Sequence, residues 1–211
     1  MRRSGLNLKN ITKVVYPFIK HLYSSLYNFL LPVLVHPPGK IYRGAFYTFT
    51  RINIIEFLES WQDKIHGKVL DVGVGMWEYP RQLFADRCEY TTTDCFEGAN
   101  VDVVSNIHQL TASFSSSSFD FVICTDVLEH VERPWIAIKE LHSLLKSGGI
   151  LLLTVPFNYY LHGNEYVKDY WRFTADGLQQ LLVQEAGFLQ VTIIPIGHQR
   201  FPFSYQIIAQ K

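Results

Sequence analysis

The sequence predicts an α/β protein: a doubly wound, mostly parallel sheet of seven strands with the last one antiparallel, preceded by an amphipathic helical arm. Three observations predict it. An apolar run, Val69-Leu70-Asp71-Val72, breaks into a tight turn through Gly73 and Gly75, as a buried central strand does before a crossover helix. Apolar runs of strand length then alternate with helically spaced ones over residues 68–187, the pattern of a parallel sheet with helices on both faces. The final two runs, 190–195 and 201–209, are separated by too few residues for a crossover helix, so they form a hairpin.

The chain has 211 residues, 48% hydrophobic and 18% charged, enough for one sizeable core. The net charge of zero hides an asymmetry. Eight bases and no acid precede Glu56, so the remainder carries 19 − 8 = 11 bases against 19 acids. A basic arm on an acidic domain suits contact with an anionic surface. Three cysteines (Cys88, Cys95, Cys124) without paired spacing argue against a disulfide framework and fit a reducing, cytoplasmic setting. Cys124 sits in an apolar run and reads as a core residue.

Taken in order, residues 1–39 form the arm and 40–211 the domain. Apolar residues across 14–35 recur at helical spacing (Val15, Phe18, Ile19, Leu22, Leu26, Phe29, Leu30, Val33), with Pro17 and Pro32 expected to bound the helix. No apolar run spans a bilayer. Three readings of the arm stay open: an interfacial helix on a membrane face, packing on the domain or on a second copy in a homodimer, and a transit peptide. His36-Pro37-Pro38-Gly39 marks the boundary. Helices are expected over 51–62, from Pro80 to about 86, from Pro134 to a glycine stop at 148–149, and over 175–185 behind a Thr174 cap. Strands are expected over 89–93, 101–104, 119–124 and 150–155.

In such a sheet a ligand sits beyond the carboxyl ends of the strands. The glycine turn lies there, and so does Asp94, 23 residues after Asp71 and placed to accept hydrogen bonds from ribose hydroxyls. The alternative is an ordinary strand–turn–helix corner. A dinucleotide fingerprint needs a third glycine three positions after Gly75, where this chain has Glu78. A carboxylate against a pyrophosphate is repulsive, whereas Asp71 suits a cationic ligand such as S-adenosylmethionine.

The motifs VLDVGVG, TTTD and SFDFVICTDVLEHVERPWIAIKELHSLLKSGGILLLTVP resemble the class I S-adenosylmethionine-dependent methyltransferases of the small type-11 group, over about residues 68–187. The segment HGNEYVKDYWRFTADGL further resembles a bacterial subgroup that modifies glycans. The resemblance implies a Rossmann-like fold, with Asp71, Gly73 and Gly75 at the methionine end of the cofactor and Asp94 at its ribose. It places Asn106 and Ile107 beside the adenine, and Thr125, Asp126 and Val127 on the cofactor floor. Two positions depart from it: Trp77 replaces a loop glycine, and Asn106 an acid.

Three side chains are candidates for catalysis: His130, whose ordinary pKa is near neutral, the adjoining Glu129, and His162. The alternative for His130 is a helix-start residue bonded to the backbone. Asp169, Tyr170, Trp171 and Arg172 are the expected substrate contacts, with aromatic faces and a guanidinium suited to sugars and anions. Trp171 and Phe173 have the alternative role of anchoring their loop. No metal site and no nucleic-acid partner are expected. The first functional expectation is O-methylation of a hydroxyl on a glycan or glycolipid precursor at the inner membrane face. The others are methylation of a small lipid-like metabolite and a non-catalytic binding protein on the same fold.

Overall fold

The computed structural model describes residues 8–35, 39–42 and 44–211, with side chains from residue 15 onward except 32–38 and 43. All but Gly39 of the predicted break at 36–39 therefore lies outside the described residues. The arm is one helix, α1 (Leu8–Val35), which runs through Pro17 and Pro32 instead of stopping at them. A proline removes one backbone hydrogen bond and crowds the preceding turn. The apolar spacing nevertheless stays in phase across Pro17, from Val15 to Phe18 and Ile19, and the helix continues.

A hairpin that the sequence reading missed follows: β1 (Lys40–Tyr42) and β2 (Ala45–Tyr47). Three-residue strands are too short to show an alternating pattern. Helix α2 (Phe49–Glu59) starts at Thr48, whose hydroxyl accepts a hydrogen bond from the Arg51 amide at 3.3 Å. It buries Ile52, Ile54, Ile55, Phe57 and Leu58.

The main sheet comprises β3 (Lys68–Val72), β4 (Glu89–Asp94), β5 (Val103–Val104), β6 (Phe119–Thr125), β7 (Leu145–Pro156), β8 (Gln190–His198) and β9 (Phe201–Gln210). Its order is β5-β4-β3-β6-β7-β9-β8, parallel up to β7. The last strand, β9, runs antiparallel to both neighbours and slots between β7 and β8, as the short final connection requires. Leu151, Leu152 and Leu153 of β7 are all fully buried, because helices cover both faces. One face carries α4 (Pro134–Leu144) and α5 (Ala175–Gln179) over Leu70, Val122, Leu153 and Ile207; the other carries α2 and α3 (Tyr79–Phe84) over Val69, Ile123 and Leu152. Cys124 is buried in this core as expected.

Several boundaries differ from expectation: α2 covers Phe49–Glu59 and not 51–62, and β5 only Val103–Val104 of the expected 101–104. Helix α4 ends at Leu144, before the glycines, because Leu145 is already extended and pairs with Phe119. Gly148, at φ +77°, instead turns the chain within β7. Behind the Thr174 cap, α5 widens into a π-helical segment, Gln180–Glu185.

Switching of the crossovers on either side of β3 opens a crevice at the carboxyl ends of β3, β4 and β6. The long connection 157–174 after β7 folds over that crevice.

Candidate active site

Three adjoining cavities, of about 430, 380 and 230 Å³, fill the crevice, and Asp126 lies on the wall of all three. The largest is lined by Gly73, Gly75, Asp94, Asn106, Ile107 and Val127 and by Tyr166 and Tyr170 of the covering loop. The second has Arg51, Asp71, the glycine turn, Trp77 and Thr125. The smallest is walled by Thr48, Thr50, Arg51, Glu129, His130, Tyr159 and His162.

The glycine turn has the geometry its sequence announces. Gly73 takes φ +77°, and a Cβ there meets Val127 Cγ2 at 2.4 Å, so only glycine fits. Its amide donates to the Thr93 carbonyl at 2.8 Å, and the Gly75 amide to Asp94 Oδ2 at 2.9 Å. Asp94 also accepts from the Phe96 amide at 3.1 Å. An ionised carboxylate accepts about four hydrogen bonds, so it keeps capacity for a ligand.

Asp71 is buried, and the Tyr90 hydroxyl donates to its Oδ2 at 2.6 Å. Burial raises its pKa to about 7, against the opposing pull of the Tyr90 bond and of Arg81. Arg51 lines the same cavity from α2, its guanidinium 4.0 Å from the Trp77 ring centre. Burial lowers the Arg51 pKa, an effect offset by Asp126. Trp77, which also stacks on Tyr79, is thus a platform for Arg51. Arg51 escaped the sequence reading because a single base in an apolar helix looks like a solvated position.

Asn106 caps the 3-10 segment Ile107–Ala112. Its carbonyl accepts from the His108 amide at 2.9 Å and lies 3.0 Å from His108 Nδ1. The Asn106 side-chain carbonyl is thus directed at its own turn.

Asp126, just past β6, holds φ +52°, a left-handed conformation that non-glycine residues seldom adopt. Thr154 fixes it: the Thr154 hydroxyl donates to Asp126 Oδ1 at 2.7 Å, and the Asp126 amide to the Thr154 carbonyl at 3.0 Å. Burial pushes its carboxyl up, partly countered by that bond and by Arg51.

His130, Glu129 and His162 come together although 32 positions separate the two histidines. Their rings meet edge to face, centroids 4.7 Å apart. His130 Nδ1 lies 2.7 Å from the Lys168 carbonyl, which can only accept. Nδ1 therefore carries the proton and leaves Nε2 as a free acceptor, 3.8 Å from Glu129 Oε1. Burial lowers the His130 pKa, so the ring is neutral near pH 7. Glu129 is fully buried, and both its carboxyl oxygens lack a hydrogen-bond partner among the described residues. Burial, reinforced by Asp126, drives its pKa well above the carboxylate range. The backbone-bonded reading of His130 holds for Nδ1, while Nε2 stays open towards the cavity.

The expected substrate contacts divide. Arg172 lines none of these cavities: its two terminal nitrogens clasp Asp169 (2.5 and 2.8 Å) and donate to the Tyr160 and Trp171 carbonyls, while its buried Nε has no partner among the described residues. Asp169 also accepts from the His162 amide at 2.9 Å, and Arg172 holds its pKa down at about 2. Trp171 donates from Nε1 to the Val131 carbonyl at 2.9 Å and stacks on Phe173, which is the anchoring role. Of the four, Tyr170 alone lines a cavity.

A family described as a methyltransferase domain matches residues 20–192. The ubiquinone biosynthesis O-methyltransferase of Idiomarina loihiensis is 30% identical over 122 residues, 50% of this chain and 50% of that protein. The chain thus spans about half the length of the curated relatives it matches. Among solved structures, a 1,6-didemethyltoxoflavin-N1-methyltransferase of Burkholderia thailandensis with bound S-adenosylhomocysteine superposes with TM-score 0.61 at 19% identity, covering 77% of this chain and 78% of that one. A SAM-dependent methyltransferase of Archaeoglobus fulgidus gives 0.60 at 19%, covering 88% and 100%. These likenesses show that the fold is shared.

Proposed function

The chain belongs to the methyltransferase-domain family, and from that premise we propose that it is an S-adenosylmethionine-dependent O-methyltransferase. The observation carrying the O-acceptor reading is the neutral His130 with its free Nε2, set between the glycine-turn cavity and the polar cavity of Thr48, Thr50, Tyr159 and His162.

The residues present fit the cofactor. A zwitterionic methionine end needs a carboxylate and a cation within one cavity, and Asp71 and Arg51 supply them. Asp94 takes the ribose, and Ile107, Val127 and the Asn106 carboxamide border the adenine. When bound, the cofactor supplies an electrophilic methyl group. The chain's own share is alignment of the acceptor oxygen and removal of its proton. His130 Nε2 takes that proton, and Lys168 holds the ring in the tautomer that can do so.

The acceptor we favour is a hydroxyl on a lipid-like or aromatic metabolite. Arg172 and Trp171, the residues that suggested a glycan, are committed to their own loop. A glycan or glycolipid acceptor is the second reading, favoured by the partly exposed Tyr166 and Tyr170 rings at the cavity mouth. Residues 1–39 act as an arm on the domain of 40–211 and tether it to an anionic, cytoplasmic membrane face. Ten apolar side chains of α1 between Val15 and Leu30 are at least 40% exposed, which supports a surface-seeking arm over one buried against the domain along that stretch. No helix among the described residues is long and apolar enough to cross a membrane.

Titration with S-adenosylmethionine tests the cofactor: wild type binds and Asp94→Ala loses most affinity. No binding by the wild type overturns the reading. Radiolabelled methyl groups incubated with cell fractions separate lipid extract from polysaccharide. Co-sedimentation with anionic vesicles tests the arm, which is refuted if a chain lacking residues 1–35 sediments equally well.

A further inference from the structure

We propose that Glu129, His130 and His162 bind a divalent transition-metal ion, of the zinc, cobalt or manganese class, on the acceptor side of the crevice. One potential ligand atom from each lies within 4.8 Å of the others.

No hydrogen bond joins the three side chains, and Glu129 Oε1 stands 3.8 Å from His130 Nε2. Both Glu129 oxygens are unpartnered and fully buried. A buried polar group without a partner is costly and asks for an explanation, an ion among them. The two imidazoles are turned the same way. His130 Nδ1 is taken by the Lys168 carbonyl, and His162 Nδ1 by the Tyr160 carbonyl at 3.1 Å, with Asp169 Oδ2 at 3.2 Å. Both rings thus keep Nε2 free while Nδ1 is held by a carbonyl or carboxylate. Metal-bound histidines are fixed and oriented by bonds of that kind.

Donor chemistry narrows the ion. Two imidazoles and one carboxylate form the donor set of open zinc and non-haem metal sites, whereas magnesium and calcium prefer oxygen ligands. Metal–ligand distances near 2.0–2.2 Å put any two ligands at most about 4.4 Å apart. Three ligands around one ion cannot all lie opposite each other; in a tetrahedral site they stand about 3.3–3.6 Å apart, so the three side chains close by about 1 Å. The remaining coordination positions face the cavity of Thr48, Thr50 and Tyr159, where an acceptor oxygen can enter. A metal lowers the pKa of a bound hydroxyl, so in the loaded protein His130 is a ligand and the acceptor proton leaves to solvent.

Only this last role rests on the proposed O-methyl transfer; the binding itself does not. The test uses the full chain, stripped with a chelator and titrated with Zn2+, Co2+ or Mg2+ by calorimetry, with visible absorption for Co2+. One equivalent of Zn2+ or Co2+ is expected, together with a Co2+ d–d spectrum. Glu129→Gln and His162→Gln should each weaken binding by more than the roughly 10–100-fold cost of losing an outer-shell partner. S-adenosylmethionine titration of the same variants checks that they are folded and tests the cofactor reading separately. A chain that binds the cofactor but no Zn2+ or Co2+ overturns the metal site, as does binding unchanged in both variants. Equal affinity for Mg2+ overturns the assignment of the ion.

Discussion

The glycine turn and the Asp169–Arg172 loop border the same crevice, and both stand out in the sequence, yet they use their conspicuous residues in opposite ways. At the turn, the polar groups that hold the shape are mostly backbone amides, and the carboxylates of Asp71 and Asp94 keep room for a ligand. In the loop, Asp169, Trp171 and Arg172 spend their polar groups on one another and on neighbouring carbonyls. The loop thereby fixes what it carries: His162, through the Asp169 carboxylate, and Tyr170, whose amide donates to the Glu129 carbonyl. Aromatic and charged residues packed into a short segment are as consistent with self-support as with recognition, and only the bond partners distinguish the two.

The largest expected effect lies where the two regions meet. His130→Ala should lower kcat about 10²–10⁴-fold with cofactor affinity unchanged by calorimetry; full activity in the metal-free variant removes His130 from proton transfer. Gly73→Ala comes next. Its Cβ meets Val127 in a left-handed backbone, a cost of about 2–5 kcal/mol from strain and overpacking together, read by denaturant melts. Arg172→Ala should cost about 2–4 kcal/mol, since it strands a buried Asp169. Its signature is a raised acceptor KM and faster hydrogen exchange across 158–172, with cofactor affinity nearly intact. A loss of cofactor affinity equal to the acceptor effect breaks the division drawn here.

A pH effect follows in size. Asp71 titrates near 7 in the fold, above its unfolded value of 3.8. Its contribution to stability is therefore full below about pH 4 and lost as pH rises through 7. Affinity for a cationic ligand runs the other way. It should rise about tenfold between pH 6 and 8, or about 1.4 kcal/mol, and stay flat in Asp71→Asn. Smallest is Gly75→Ala, where the added Cβ meets nothing within 4 Å and the left-handed backbone alone costs about 1–2 kcal/mol.

The sheet was legible because its strands are apolar runs bounded by turn residues, and Leu151–Leu153 admit few alternatives. The hairpin of β1 and β2 was not, since strands of three residues, two of them exposed, carry no periodicity. The path of α1 through Pro17 was misjudged because a local penalty was set above a long stripe in phase. At the site, Asp71, Gly73, Gly75 and Asp94 were readable from spacing along one strand–turn–strand unit. Arg51, Tyr90 and Thr154 were not. Each comes from a separate element, Tyr90 and Thr154 acting only through Asp71 and Asp126, and nothing local distinguishes an Arg that stacks on Trp77 from one in water. The nearness of His130 to His162 depends on how the 157–174 connection folds back, which no spacing encodes.

Asp126 gives the crevice a property that neither region has alone. Its carboxyl walls all three cavities, held there by Thr154 in a backbone conformation it does not choose freely. On the proposed reading, a ligand in one cavity abuts the same carboxyl that walls the other two. Binding in one cavity is then expected to be linked to binding in the next, and by the same factor in both directions.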